Sequence, residues 1–174
     1  MLPRELEDDL RAKVQAAEHV RELAVDVLFA VQGHHRYLSD EALADAAAIL
    51  GMTPLELDEL ATFYDLLYRK PVGRYVIHVC DGSVCWMHGQ PSLTEHLSAR
   101  LGIPVGATTP DGLFTLLPVC CIGYCDRAPA MLVNLEVHGE LTPSRIDEIL
   151  EGLRNRALHG GEPEARRSDG AGLG

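Results

Sequence analysis

The chain has 174 residues, with 47% hydrophobic and 24% charged side chains and a net charge of −11. That balance permits a buried core and one domain with a smaller companion. It argues against nucleic acid and against anionic membrane surfaces as partners. Acidic residues outnumber basic ones in both halves, so the acidity is not that of a tail. The opening stretch has no basic and apolar signal pattern, and nowhere do about 18 apolar residues run together, so neither a signal peptide nor a membrane span is expected.

From Leu6 to Gln32 apolar residues recur at helical spacing through Leu10, Val14, Val20, Leu23, Val27, Leu28 and Val31, and Gly33-His34-His35 is expected to break the pattern. Ser39 then caps a second helix that stops at Gly51, and Thr53-Pro54-Leu55-Glu56 reads as a capping box opening a third. Residues 1–70 thus read as a small helical bundle. Phe63, Tyr64 and Tyr68 near its end are expected in a core more than at a partner surface.

Pro71-Val72-Gly73 ends that unit. Arg74–Cys80 alternates and is rich in β-formers, so it predicts a strand that delivers Cys80 at its end. After a cysteine loop come a helix over Ser92–Leu101, a strand over Leu113–Leu117 and another over Met131–Leu135. His138-Gly139-Glu140 is expected to turn into a short edge strand, and Thr142-Pro143 caps a last helix through Leu153. The order predicts an α/β domain of thioredoxin type over 71–156. Residues 157–174, rich in Gly, Glu and Arg, are expected to be disordered or ordered only by a partner.

The five cysteines carry the sharpest chemical signal. Cys80-Asp81-Gly82-Ser83-Val84-Cys85 is a C-x4-C pair, and Cys120-Cys121-Ile122-Gly123-Tyr124-Cys125 holds the other three. With no secretion signal, these thiols suit a metal or redox role in a reducing compartment more than structural disulfides. Four thiolates satisfy a 2Fe–2S cluster, two per iron. Cys80 and Cys85 are assigned to one iron, and Cys125 with one of the adjacent Cys120 and Cys121 to the other. The compact Cys121–Cys125 loop favours Cys121. Gly82 and Gly123 fall inside the two loops, where a missing Cβ lets backbone amides approach sulfur. Pro129 is expected to be cis. Zinc would usually show C-x2-C pairs and a dithiol redox site C-x-x-C, and neither spacing is present. Cys85-Trp86-Met87-His88 spells half of a Rieske pattern without its other half, so His78 and His88 are expected to be ordinary strand and loop residues.

Cys80-x4-Cys85, with Thr115–Pro129 and its Cys121-Ile122-Gly123-Tyr124-Cys125 loop, resembles the thioredoxin-like 2Fe–2S subunits of bacterial NADH:quinone oxidoreductase, respiratory complex I. Ala61-Thr62-Phe63-Tyr64, Pro71-Val72-Gly73-Arg74 and Thr109–Phe114 also resemble that family, over about residues 15–155. Ile122 stands where leucine is more usual. The resemblance implies that Cys80, Cys85, Cys121 and Cys125 are the ligands of one 2Fe–2S cluster and that Cys120 is not. It implies a chain with no catalytic residue of its own and no NADH or quinone site. Such a chain docks on a flavoprotein subunit that binds NADH and FMN, and its cluster exchanges one electron with the flavin. A large iron–sulfur subunit of the same complex is the second implied partner, and the implied place is the cytoplasmic, peripheral arm of an inner-membrane complex. The helical unit is then expected either to clamp the flavoprotein or to pack on the chain's own α/β domain. The rival readings are the equivalent subunit of a soluble NAD-dependent hydrogenase or formate dehydrogenase, and a stand-alone thioredoxin-like ferredoxin.

Overall fold

The structure, a computed structural model, describes residues 2–159. The chain divides into two compact units, one ending at Pro71 and one beginning at Val72. Most of the tail expected over 157–174 lies outside the described residues.

The first unit is helical: α1 (Arg4–Ala16), a single 3-10 turn (Val20–Leu23), α2 (Ala24–His35), α3 (Asp40–Leu50) and α4 (Pro54–Phe63). The long periodic stretch from Leu6 to Gln32 is therefore not one helix. Ala17 is extended, at φ −81° and ψ 137°, and the chain turns there. A straight helix over that stretch would be about 40 Å long. The break instead lets Leu10 from α1 and Val27, Leu28 and Val31 from α2 share one core with Leu43, Ala46 and Leu50. Gly33-His34-His35 does not end α2 either; the stop is Arg36 in the left-handed region, at φ 71°. The locally encoded signals hold. Ser39 Oγ accepts from Ala42 N at 3.1 Å, Gly51 closes α3 at φ 64°, and Thr53 and Glu56 form the reciprocal capping box. The buried Gln32 amide ties the segment after α4 to α2, donating to Leu66 O at 2.9 Å and accepting from Tyr68 N at 2.6 Å. The expectation that the aromatic group is buried is corrected for two of its members: Phe63 and Tyr64 are exposed and stack edge to face on each other.

The second unit is a four-stranded mixed sheet in the order β2-β1-β3-β4, where β1 is Tyr75–Cys80, β2 Phe114–Val119, β3 Met131–Val133 and β4 Glu136–His138. The central strand β1 runs parallel to β2 and antiparallel to β3, with Cys80 opposite Val119 and Val79 opposite Met131. All six of its residues are buried, as a central strand requires. Pro118 is tolerated because β2 is an edge strand. Between β1 and β2 lie α5 (Ser83–Met87) and α6 (Gln90–Leu101), and α7 (Pro143–Leu158) closes the chain. Leu93, Leu97 and Leu101 of α6 join Ile146, Leu150 and Leu153 of α7 in a core with Tyr75, Ile77 and Val79.

Two expectations fail here. The first cysteine segment is not a loop but carries the short helix α5. The edge strand ends at His138 and does not follow His138-Gly139-Glu140. The β3–β4 hairpin turns at Asn134, whose φ of 55° suits asparagine. Its side chain accepts from Val76 N at 2.9 Å while its own N–H donates to Val76 O at 2.8 Å.

Candidate metal centre

The cysteines gather at the C-terminal end of β1. Cys80 is the last residue of that strand, its N–H bonded to Ala130 O at 3.2 Å, and the next amide, Asp81 N, donates to Val119 O at 2.9 Å. The chain then turns at Gly82 into α5, which carries Cys85. Parallel to it, β2 ends at Val119 and releases Cys120 and Cys121 into the second loop. Both segments thus leave adjacent strands at the same edge.

Cys80 and Cys85 are each 2% exposed, whereas Cys120, Cys121 and Cys125 lie at the surface. The Cys85 thiol is pushed up to about 11, chiefly by burial and then by the neighbouring Cys80 side chain; the Ala130 amide pulls the other way, and the charges of Cys80 and Cys125 raise it further. Cys125 is also raised, first by the side chain and charge of Cys121, and in smaller part by Cys80 and Asp126. The sulfurs of Cys80, Cys85, Cys121 and Cys125 therefore feel one another, as a buried pair and an exposed pair. The Cys120 carbonyl oxygen lies 3.9 Å from Cys80 Sγ. Among the described residues no three His, Cys, Asp or Glu side chains converge as the ligand set of a single metal ion.

The two glycines differ in what they contribute. A Cβ on Gly82 would stand 3.0 Å from Cys120 O, 3.5 Å from Cys80 Sγ and 3.6 Å from Cys121 Cβ, so this position is where the two cysteine segments close on each other. Gly123 has open space around it and a φ of 78°, so it is there for the left-handed turn between Cys121 and Cys125. His78 is buried inside β1, and His88 ends α5.

Sequence reasoning missed two contributors. The backbone amide of Ala130, just past the cis Ala128-Pro129 bond, pulls the Cys85 thiol down against the effect of burial. No side-chain pattern marks such an amide. Gly139, read only as a turn residue, packs its Cα against the second loop, where a Cβ would meet Tyr124 Cε1 at 2.7 Å and Arg127 Cβ and O at 2.8 Å. Next to it, Glu140 N donates to Arg127 O at 2.7 Å and Leu141 N to Pro129 O at 3.1 Å. The second loop is thereby pinned along its length.

A thioredoxin-like 2Fe–2S ferredoxin family model matches residues 10–154. This chain is a member of that family. Among its relatives, the E-subunit of NADH-quinone oxidoreductase from Pseudomonas aeruginosa is 40% identical over 77% of this chain and 81% of its own length. The E-subunit from Escherichia coli K12 shows the same identity and coverage, and the second E-subunit from Rhizobium meliloti is 38% identical over 86% of this chain and 89% of its own. An NAD+-reducing NiFe hydrogenase in the air-oxidised state superposes with a TM-score of 0.66 at 30% identity, covering 79% of this chain but 24% of that one.

Membership assigns one 2Fe–2S cluster to the chain. The donors fit that group. Two thiol pairs at the joined ends of β1 and β2 match two ligands per iron, the Ala130 amide favours negative charge on the Cys85 sulfur, and Gly82 keeps the space between the segments free of side chain. Among the described residues no helix is long and apolar enough to cross a membrane.

Proposed function

We propose that this chain is the iron–sulfur electron-transfer subunit of an NADH-oxidising module, with Cys80, Cys85, Cys121 and Cys125 as the cluster ligands. The observation that carries the reading is the 40% identity to the E-subunit of NADH-quinone oxidoreductase, in a chain whose two cysteine segments leave the paired ends of β1 and β2 side by side. When bound, the cluster supplies reversible one-electron transfer.

The chain's own residues set the conditions for that chemistry. Cys80 and Cys85 keep water from one side of the centre by their burial. With its thiol raised to about 11, Cys85 is protonated in the metal-free chain, so ligand binding there releases a proton. Ala130 N–H then stabilises negative charge on the Cys85 sulfur. Cys121 and Cys125 hold the other side at the surface, within reach of a partner. Gly82 and Gly123 shape the backbone and take no chemical part.

The partners of this reading are a flavoprotein subunit that binds NADH and FMN, with which the single electron is exchanged, and a large iron–sulfur subunit. The site of action is the cytoplasmic, peripheral arm of an inner-membrane complex. The N-terminal helical unit, here taken as residues 1–70, is the natural clamp on the flavoprotein. A second reading, the corresponding subunit of a soluble NAD-reducing hydrogenase, is favoured by the 30% identity and TM-score of 0.66 to the hydrogenase chain. Anaerobic purification of the chain with its neighbours tests both. The expected result is about two irons and two sulfides per chain and an EPR signal of one unpaired electron on reduction. Co-purifying subunits separate a quinone-linked from a hydrogen-linked complex. Colourless protein holding a single zinc would end the proposal.

A further inference from the structure

Cys85 sits on a five-residue helix whose other faces are bare. It is 2% exposed, while its neighbours Val84, Trp86 and Met87 on α5 are 37%, 64% and 78% exposed. A large aromatic and a methionine in the open beside a ligand thiol are costly in water and typical of interface centres. The surrounding sequence is as informative. Residues 82–94 carry no Asp, Glu, Lys or Arg, and neither do residues 112–125, although 24% of the chain is charged. Apart from Asp81 between Cys80 and Cys85, and Asp126 and Arg127 directly after Cys125, the stretches that carry the cysteines thus hold no fixed side-chain charge in a strongly acidic protein. Transient redox encounters rely on small contacts and charge steering, whereas permanent interfaces are larger and apolar.

We infer that Val84, Trp86 and Met87, which flank the buried Cys85 on α5, form a surface onto which a permanently bound, apolar-faced redox subunit closes. This rests on the electron-transfer reading above and adds to it the residues and the kind of contact. Relatives of this chain are named as subunits, so a partner surface must exist somewhere on the fold. An exposed apolar face next to the buried Cys85 is the one an electron can cross once water is excluded. Trp86, the single tryptophan of the chain, stands at its centre.

The test uses the cluster-loaded full chain and the purified NADH-oxidising flavoprotein subunit of the same complex. Trp86→Glu, with its visible and EPR spectra unchanged, is expected to bind at least about tenfold more weakly. Raising salt from about 0.1 M to about 0.5 M is expected to weaken the unaltered chain less than about threefold. Hydroxyl-radical footprinting of the unaltered complex, which needs no variant, is expected to protect Trp86 and Met87 but not Leu158. Undiminished binding of Trp86→Glu, continued oxidation of Trp86 in the complex, or a salt effect above about tenfold would overturn the inference and leave the electron-transfer reading standing. A chain that carries no cluster, or binds no flavoprotein, removes that reading and the inference with it.

Discussion

Gly139→Ala puts the packing around the second cysteine loop to a quantitative test. The added methyl would fall 2.7 Å from Tyr124 Cε1 and 2.8 Å from both Arg127 Cβ and Arg127 O. Tyr124 is a side chain and can swing. Arg127 O cannot retreat freely, because Glu140 N holds it at 2.7 Å. Forced overpacking of this kind costs about 1–3 kcal/mol, and the stiffer unfolded chain returns about 0.4–1 kcal/mol. A net loss of roughly 1–2 kcal/mol follows, which for a unit of about 100 residues lowers Tm by roughly 5–15 °C. Because the strain lands between Cys125 and Pro129, cluster loss on incubation with an iron chelator should also accelerate. Gly33→Ala is the control: its Cβ meets nothing within 4 Å in the interior of α2, so stability should rise by up to about 1 kcal/mol with the spectrum unchanged. Chemical denaturation followed by circular dichroism, with visible absorbance for the cluster, reads both. A Gly139→Ala protein with the parent's midpoint and cluster lifetime would show that the loop is not held from this side.

Three further outcomes are expected. Cys120→Ser should keep about two irons per chain and the parent EPR signal, whereas Cys121→Ser should lose or alter both, measured on chains purified in parallel. Thr53→Ala removes the side-chain half of the capping box and should cost the helical unit about 1 kcal/mol in denaturant, with the EPR signal untouched. The hydrogen bond from His96 at 2.9 Å, and Arg100 at 2.8 Å, hold the Asp147 carboxyl below its usual range. Its stabilisation is therefore present above about pH 4 and lost as pH falls through the lowered folded value, so the stability gap between parent and Asp147→Asn should close below about pH 4.

What the sequence made legible was local. Ser39, Thr53 and Thr142 each cap a helix by reaching a backbone N–H three residues on, and a rule about neighbours suffices to read them. The strand ending in Cys80 belongs to the same class. The failures share the opposite property. The periodicity from Leu6 to Gln32 is real, but where it breaks depends on α1 and α2 both packing on α3. The helix α5 is five residues long, too short for periodicity to mark. Gly139 and Ala130 matter through groups that lie nearby in space and are not adjacent in sequence, Arg127 for the one and Cys85 for the other. The position of β4 turned on a single asparagine accepting a positive φ.

The proposed choice of Cys121 over Cys120 leans on the register of the sheet. Parallel pairing sets Cys80 opposite Val119, so the two chains leave the sheet level with each other. Asp81 N bonds Val119 O, and the Cys120 carbonyl then lies toward Gly82 and Cys80 Sγ. Beyond β2 the chain bends at Cys120, and of the two adjacent thiols it is Cys121 that acts on Cys125. A one-residue slip of β2 against β1 would exchange the two thiols. The register is held against such a slip by Phe114 and Leu116, which lie wholly within the core beside Tyr75 and Ile77. On the proposed ligand set, hydrophobic side chains at the other end of the strands hold the register that places Cys121, and variants that weaken their packing should disturb the iron site without touching a cysteine.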